Sequence, residues 1–469
     1  MKIFRDPAVA KDQVMLLPPC VSEFVAQDDP VRLAGEIIDG MDLSELLSKY
    51  SGGGAPAYDP RMLMKVIVFG YCEGVRSSRK LSAALGRDMR FMYLAEMSRP
   101  DFRTIARFRR ENLDAVRKVF EDTVRTSLKM GLALLAHTSL DGTKLEANVS
   151  GKQTYRRERL EKALESAGAQ IESILSEAER VDVEEDELYG DARGDEMPRE
   201  LADVTRRREL LAKAKEQLEE SGRKAVCATD LDSRVMKTGN GNRPAYNAQA
   251  VVDKEHQIVV AAGVSQDETD HHQAPVMLDE VVRLTGCKPD CVTMDGGYFS
   301  GETLSYADER ELNIYVPDNQ PAQSGKTGFE FDEVNDEYVC PCGERLKYAM
   351  TREKKGRIYR IYRRSCASCE RRKCCCGGKS RAKELWHRVN GELAERMSAK
   401  MRTDQAREVY SLRKQIIEPV FGNIKQNKNL RRLLLRGLEG AEIEFLLGCI
   451  AHNLGKIING KRMLALSAA

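Results

Sequence analysis

The chain has 469 residues, 42% hydrophobic and 32% charged, enough for two or three soluble domains with a large buried core. No stretch approaches the roughly 18 consecutive apolar residues of a membrane span, and Met1-Lys-Ile-Phe-Arg-Asp6 offers no apolar signal region, so a cytoplasmic protein without a membrane partner is expected. A net charge of +2 names no partner, and thirteen cysteines without a secretion signal argue against a disulfide framework.

Residues 1–130 read as a helical domain. Val31 to Tyr50 carries Leu33, Ile37, Ile38, Met41, Leu43, Leu46 and Leu47 at near-helical spacing before the breaker Ser51-Gly-Gly-Gly54. Pro60 opens a helix to Glu73, and Ser77 or Ser78 can cap the next, Arg79 to Leu85. In Pro100-Asp-Phe-Arg-Thr-Ile-Ala-Arg-Phe-Arg-Arg110, Asp101 or Thr104 can cap a helix that presents Arg103, Arg107 and Arg110 on one face, with Phe102, Ile105, Ala106 and Phe108 inward. Such a face suits DNA phosphates, and equally a solvated surface.

From His137 the period changes to that of strands. Thr138-Ser-Leu-Asp141-Gly reads as a strand ending in Asp141, followed by strands Ala245 to Val252 and Gln257 to Val264. A helix at Gln273 to Leu284, a strand Cys291 to Asp295, a helix Glu302 to Glu311 and a strand Asn313 to Pro317 come next, an order that implies parallel pairing with right-handed crossovers. Between the first two strands, Arg156 to Arg180 and Arg199 to Glu220 read as an inserted helical hairpin, residues 151–226, with an acidic turn around Asp182 to Glu187. Asn247 and Gln249 alternate on the second strand, facing either a cleft or the neighbours of an edge strand. In Asp267-Glu-Thr-Asp270-His271-His272, helix capping by Asp270 is preferred over a metal site.

A second insertion, residues 336–380, is cysteine-rich. Seven cysteines fall between positions 340 and 376, and Cys366-Ala-Ser-Cys369 has the spacing of a thiolate knuckle. A zinc-ribbon-like segment is expected, with structural Zn²⁺ on Cys340, Cys366, Cys369 and Cys375. Residues 351–385 hold 13 Lys/Arg, which can follow a DNA backbone or keep the loop soluble. Ala441 to Ile458 is apolar nearly all round and reads as a buried packing helix.

Three acids stand out: Asp141, Asp295 in Asp295-Gly-Gly-Tyr298, and Glu418 in Ile416-Ile-Glu-Pro-Val-Phe-Gly-Asn-Ile-Lys425. Each alone is ordinary, a turn former or a solvated helix residue. Brought together by a fold they can hold two divalent ions for phosphodiester chemistry. The element order is that of an α/β, RNase H-like mixed sheet, with catalytic residues drawn from 135–335 and 400–460.

On these motifs the chain resembles, over nearly its whole length, an RNase H-like DDE transposase of a bacterial insertion sequence. The resemblance implies that Asp141, Asp295 and Glu418 are catalytic and bind Mg²⁺ or Mn²⁺. One ion would activate a water to cleave the phosphodiester, the other would stabilise the leaving 3′ oxygen, and the freed 3′-OH would then join target DNA. It further implies that residues 1–130 bind double-stranded DNA at the terminal inverted repeats, that a homodimer forms in the DNA complex, and that the protein associates with the nucleoid. In the subgroup with a Tyr, Arg, Glu, Lys signature, Tyr410 and Arg413 would precede Glu418, and Lys425 would contact a phosphate. Arg413 lies five residues before Glu418 where the pattern expects four, so either Lys414 takes its role or the helix is irregular near Pro419. The alternatives are a structure-specific nuclease on the same fold and a non-catalytic, domesticated DNA-binding protein.

Overall fold

The structure, a computed structural model, describes residues 20–50, 57–149, 151–189, 199–318, 328–354, 357–367, 369, 382–389 and 391–468. The N-terminal region is helical: α1 (Pro30–Asp39), α2 (Ser44–Ser48), α3 (Pro60–Cys72), α4 (Ser78–Ala84), α5 (Met89–Leu94), α6 (Phe102–Glu111) and α7 (Leu113–Lys129). Four of these begin at a carboxylate that accepts an otherwise orphaned backbone N–H: Asp29 from Val31, Asp59 from Arg61, Asp88 from Arg90, and Asp101 from Thr104. Pro30 and Pro60 stand just inside two of them, where the missing N–H is not needed. The single helix expected over Val31 to Tyr50 is two. The first ends at Gly40, and Asp42 turns the chain by accepting both the N–H and the hydroxyl of Ser44.

A six-stranded mixed sheet follows, built from β1 (Thr138–Glu146), β4 (Arg234–Thr238), β5 (Gly241–Asp253), β6 (Val259–Ser265), β7 (Val292–Met294) and β8 (Ile314–Tyr315). β5 pairs antiparallel with β1 along one edge, and its other edge is shared by β4 near its start and β6 further on. β7 lies parallel to β1 on the far side, and β8 parallel to β7. Helices α10 (Gln273–Thr285) and α11 (Gly301–Glu309) make the crossovers. β1 continues to Glu146 instead of stopping at Asp141, because the long β5 supplies a partner for every residue of it.

The insertion after β1 contains the two-stranded β2 (Thr154–Tyr155) and β3 (Val226–Cys227) around helices α8 (Arg157–Tyr189) and α9 (Arg199–Ser221). Leu160, Leu211, Ala214 and Leu218 close its small core, with Leu164 packed against them. The cysteine-rich insertion is larger than a ribbon of 336–380. It is a five-stranded antiparallel sheet of β9 (Glu330–Asp332), β10 (Glu337–Val339), β11 (Arg345–Lys354), β12 (Arg357–Ser365) and β13 (Ala382–Arg388). Phe331, Tyr338, Tyr362 and His387 stack on one another at its centre, which gives it an aromatic core of its own.

The chain returns through α12 (Gly391–Lys400), α13 (Asp404–Ser411), α14 (Arg413–Gly422) and α15 (Gly437–Ala468). Ile443, Phe445, Leu447, Ile450 and Leu454 are fully buried, so α15 is the packing helix its composition suggests, wedged between α3, α7 and β6. Its Asn453 satisfies both backbone groups of Val259, accepting from the N–H and donating to the carbonyl at 2.9 Å each. Its Glu444 is fully buried, pairs with Arg76 at 2.7 Å and accepts the N–H groups of Leu434 and Leu435. The N-terminal helices and the mixed sheet therefore share one apolar core. Among the described residues, no helix is long and apolar enough to cross a membrane.

Candidate active site

The site lies where β1 and β7 run side by side. Ser139 pairs with Thr293 and Leu140 with Met294, so one more step along the parallel register sets Asp141 beside Asp295. Because strand side chains alternate faces, the aspartates share the face on which the Ser139 and Thr293 hydroxyls meet at 2.7 Å. Asp141 Oδ1 accepts the Gly142 N–H at 2.8 Å, and Asp295 Oδ1 accepts the Gly297 N–H at 2.5 Å. Asp295 thereby also caps the short 3₁₀ turn Gly296–Tyr298.

From α14, Arg413 donates to Asp141 Oδ2 at 2.8 Å, with side-chain exposures of 11% and 20%. Burial pushes the Asp141 carboxyl up from its ordinary value and neighbouring Asp295 adds to the effect, while Arg413 opposes both. The pair thus carries more negative charge than one guanidinium offsets. Oxygen donors of this kind suit a hard divalent cation, which would relieve the repulsion, so the residues present fit such an ion.

Arg413, and not the exposed Lys414, is the residue that reaches the site. Its guanidinium lies 5.9 Å from the ring centre of Tyr410, whose hydroxyl is pushed up by burial. The helix stays α-helical through Pro419, since the carbonyl of Gln415 that proline leaves without an intrahelical donor is taken by the Gln257 side chain at 3.0 Å. The irregularity comes later, as a π-helical turn at Asn423–Asn427 that contains Lys425. Burial pushes the Lys425 ammonium down, helped by Arg431, while Asp141 opposes the shift.

Glu418 behaves differently. Arg413, Ile416, Ile417 and Val420 take the buried stripe of α14, and at about 100° per residue Glu418 stands roughly 140° round from Arg413, exposed. Among the described residues no three His, Cys, Asp or Glu side chains gather closely enough to hold one metal ion. The structure brings Asp141 and Asp295 together, and Glu418 stands exposed on α14.

Arg103, Arg107 and Arg110 all lie exposed on α6, with Ile105 and Phe108 buried beneath. Arg109 turns inward, donating to the Arg76 carbonyl at 2.6 Å. Of the cysteines expected to bind zinc, Cys366 is buried, Cys340 packs beside the aromatic core of its sheet, and Cys375 lies outside the described residues. The sulfur of Cys369 lies 3.9 Å from that of Cys342.

Sequence reasoning missed Asp270 and Lys144. Asp270 does not cap α10 with its side chain; the residue at that position is His272, and Asp270 Oδ1 instead accepts from Asn247 and Gln249 at 2.7 Å each and from Lys144 at 3.4 Å. β5 is an interior strand, not an edge, and Asn247 and Gln249 are almost fully buried on it. Two buried amides on one strand face require partners, and that was the available signal.

Two segments match families of known proteins. Residues 339–458 match a family described as a transposase DDE domain, and residues 19–111 match a transposase domain known as DUF772. The first spans Tyr410, Arg413, Glu418 and Lys425 but begins after both aspartates; the second spans α1 to α6. No curated protein matches the chain. Matches to transposase families in both its N-terminal helices and its C-terminal part support an insertion-sequence DDE transposase.

Proposed function

We propose that this transposase cleaves DNA at the ends of its element and joins the 3′ ends to target DNA, with Asp141 and Asp295 as the metal-binding centre. The in-register placement of these aspartates on parallel β1 and β7, with Arg413 beside them, is the observation that carries the reading. Core strands ordered β6-β5-β1-β7-β8, the first three antiparallel and the last two parallel to β1, support an RNase H-like fold. Mg²⁺ or Mn²⁺ held there would supply Lewis acidity and an activated water. Asp141 and Asp295 would hold the cation, with Arg413 beside Asp141 and Glu418 as the third acid of the motif. Lys425 and Tyr410 are then placed to contact the scissile strand.

In this reading residues 1–130 recognise the terminal repeats, with Arg103, Arg107 and Arg110 of α6 on DNA phosphates. Residues 135–335 and 400–460 form the catalytic domain, interrupted by the hairpin 151–226 and the cysteine-rich sheet. The protein acts as a homodimer on its DNA. A structural Zn²⁺ is proposed for that sheet, with Cys342 and Cys369 as two of its ligands, since 3.9 Å is close to the edge of about 3.8 Å set by Zn–S bonds of about 2.3 Å. Zinc analysis of purified protein, with Cys342→Ser and Cys369→Ser compared, tests this.

The central test is Asp295→Asn. It should abolish Mg²⁺-dependent cleavage of element ends while leaving their binding intact; undiminished cleavage would remove Asp295 from the site.

A further inference from the structure

Gly142 follows Asp141 directly and Gly297 lies two residues after Asp295, and a third carboxylate, that of Asp270, lies beside both glycines. A Cβ on Gly142 would stand 2.7 Å from Asp270 Oδ1, 2.5 Å from Gln249 Nε2 and 3.1 Å from Asn247 Oδ1. A Cβ on Gly297 would stand 2.7 Å from Asp295 Oδ1 and 3.5 Å from Asp270 Oδ2. Neither glycine has positive φ, so the backbone does not require glycine there. At Gly142 the space is taken by Gln249 and Asp270, and at Gly297 by the Asp295 carboxylate, with Asp270 in ordinary contact beyond it.

Asp270 comes from the loop between β6 and α10 and is held from several sides. Its Oδ1 takes the amide donors of Asn247 and Gln249 together with Lys144. Gln249 is itself fixed by the hydroxyl of Tyr298, the last residue of the Asp295 turn, which donates to its carbonyl oxygen. The chain of contacts therefore runs from the Asp295 turn through Tyr298 and Gln249 to Asp270, then back to Gly142 next to Asp141. Tyr298 is completely buried, and the charges of Asp270, Asp141 and Asp295 all act on its hydroxyl. With Oδ1 committed to the amides, Oδ2 is the oxygen directed toward the Asp295 turn.

We propose that Asp270 is a positioning residue for the aspartate pair, bracing the Asp141-Gly142 stretch of β1 against the Asp295 turn and adding negative charge behind them that strengthens divalent-cation binding. The inference rests on the reading of Asp141 and Asp295 as a cation site. It goes beyond that reading by assigning a third acid, from a different loop, that acts by bracing these two segments and not as a ligand.

The test is Mn²⁺ binding to the full-length protein without DNA, followed by titration calorimetry, for the native chain, Asp295→Asn, Asp270→Asn and Gly142→Ala. Asp270→Asn keeps an oxygen acceptor for both amides and removes only the charge, leaving Lys144 unopposed. It should weaken Mn²⁺ binding about tenfold or more with circular dichroism unchanged. Gly142→Ala, which must push Asp270 aside, should weaken it in the same direction. Unchanged Mn²⁺ affinity in a folded Asp270→Asn protein overturns the role of Asp270. Should Asp295→Asn bind Mn²⁺ as tightly as the native chain, the cation-site reading itself fails, a result separable from the first. If Asp270→Asn did not fold, Gly142→Ala would decide, and native affinity there would overturn the proposal.

Discussion

Replacing Arg413 with Gln should make the free protein bind divalent cations more tightly while making it a poorer nuclease. Arg413 and Asp141 meet at 2.8 Å with most of both side chains buried. A cation that binds Asp141 has to displace this pairing. A hydrogen bond to a charged group is worth about 1.5–3 kcal/mol net, which corresponds to roughly tenfold to a hundredfold in affinity. Arg413→Gln should therefore raise Mn²⁺ affinity by that factor, measured by calorimetric titration at a pH where Asp141 is ionised. Cleavage of element ends should fall, because the guanidinium is lost as a partner for Asp141 and for the DNA. If Mn²⁺ affinity were unchanged or lower, Arg413 could not be the competitor for the cation that the geometry implies.

Three further outcomes are expected. Arg76→Ala leaves the fully buried Glu444 without its cation and should cost about 3–5 kcal/mol in urea unfolding, whereas Glu444→Gln, which still accepts from Leu434 and Leu435, should cost less; equal losses would argue against the pair. His452 is pushed down to about 4 by burial, with Nε2 facing the Gln257 carbonyl and Nδ1 facing the Asn423 amide. The unfolded chain binds that proton from its ordinary 6.5 downward and the folded one does not, so this residue's contribution, up to roughly 3 kcal/mol, is present above pH 6.5 and lost as pH falls toward 4. Denaturation of native protein and His452→Gln across that window should converge at the acid end, and a constant difference would refute the assignment. Replacing Arg103, Arg107 and Arg110 together by Ala should weaken binding to all DNA sequences alike and lower the salt slope by up to roughly 3, as read from fluorescence anisotropy at several salt concentrations.

Much of this protein was legible in its sequence because the signals involved are local. Asp29, Asp59 and Asp101 cap their helices within the reach of a turn, and the basic face of α6 follows from helical periodicity alone. The strands bearing Asp141 and Asp295 announce themselves by apolar runs ending near a glycine. What local signals could not supply was the choice among neighbours. Arg413 and Lys414 are adjacent in sequence, and only the phase of α14 against β1 decides that the first reaches Asp141 and the second faces solvent. That phase also leaves Glu418 exposed on α14, off the buried stripe that carries Arg413. Asp270 could not be found by motif at all. Its place depends on β5 lying inside the sheet, which sets two buried amides opposite Gly142 and leaves them in need of an acceptor. Periodicity and capping act within a few residues and are written in the chain directly; which side chains meet across a sheet depends on strand register and helix phase, which exist only once the whole core has packed.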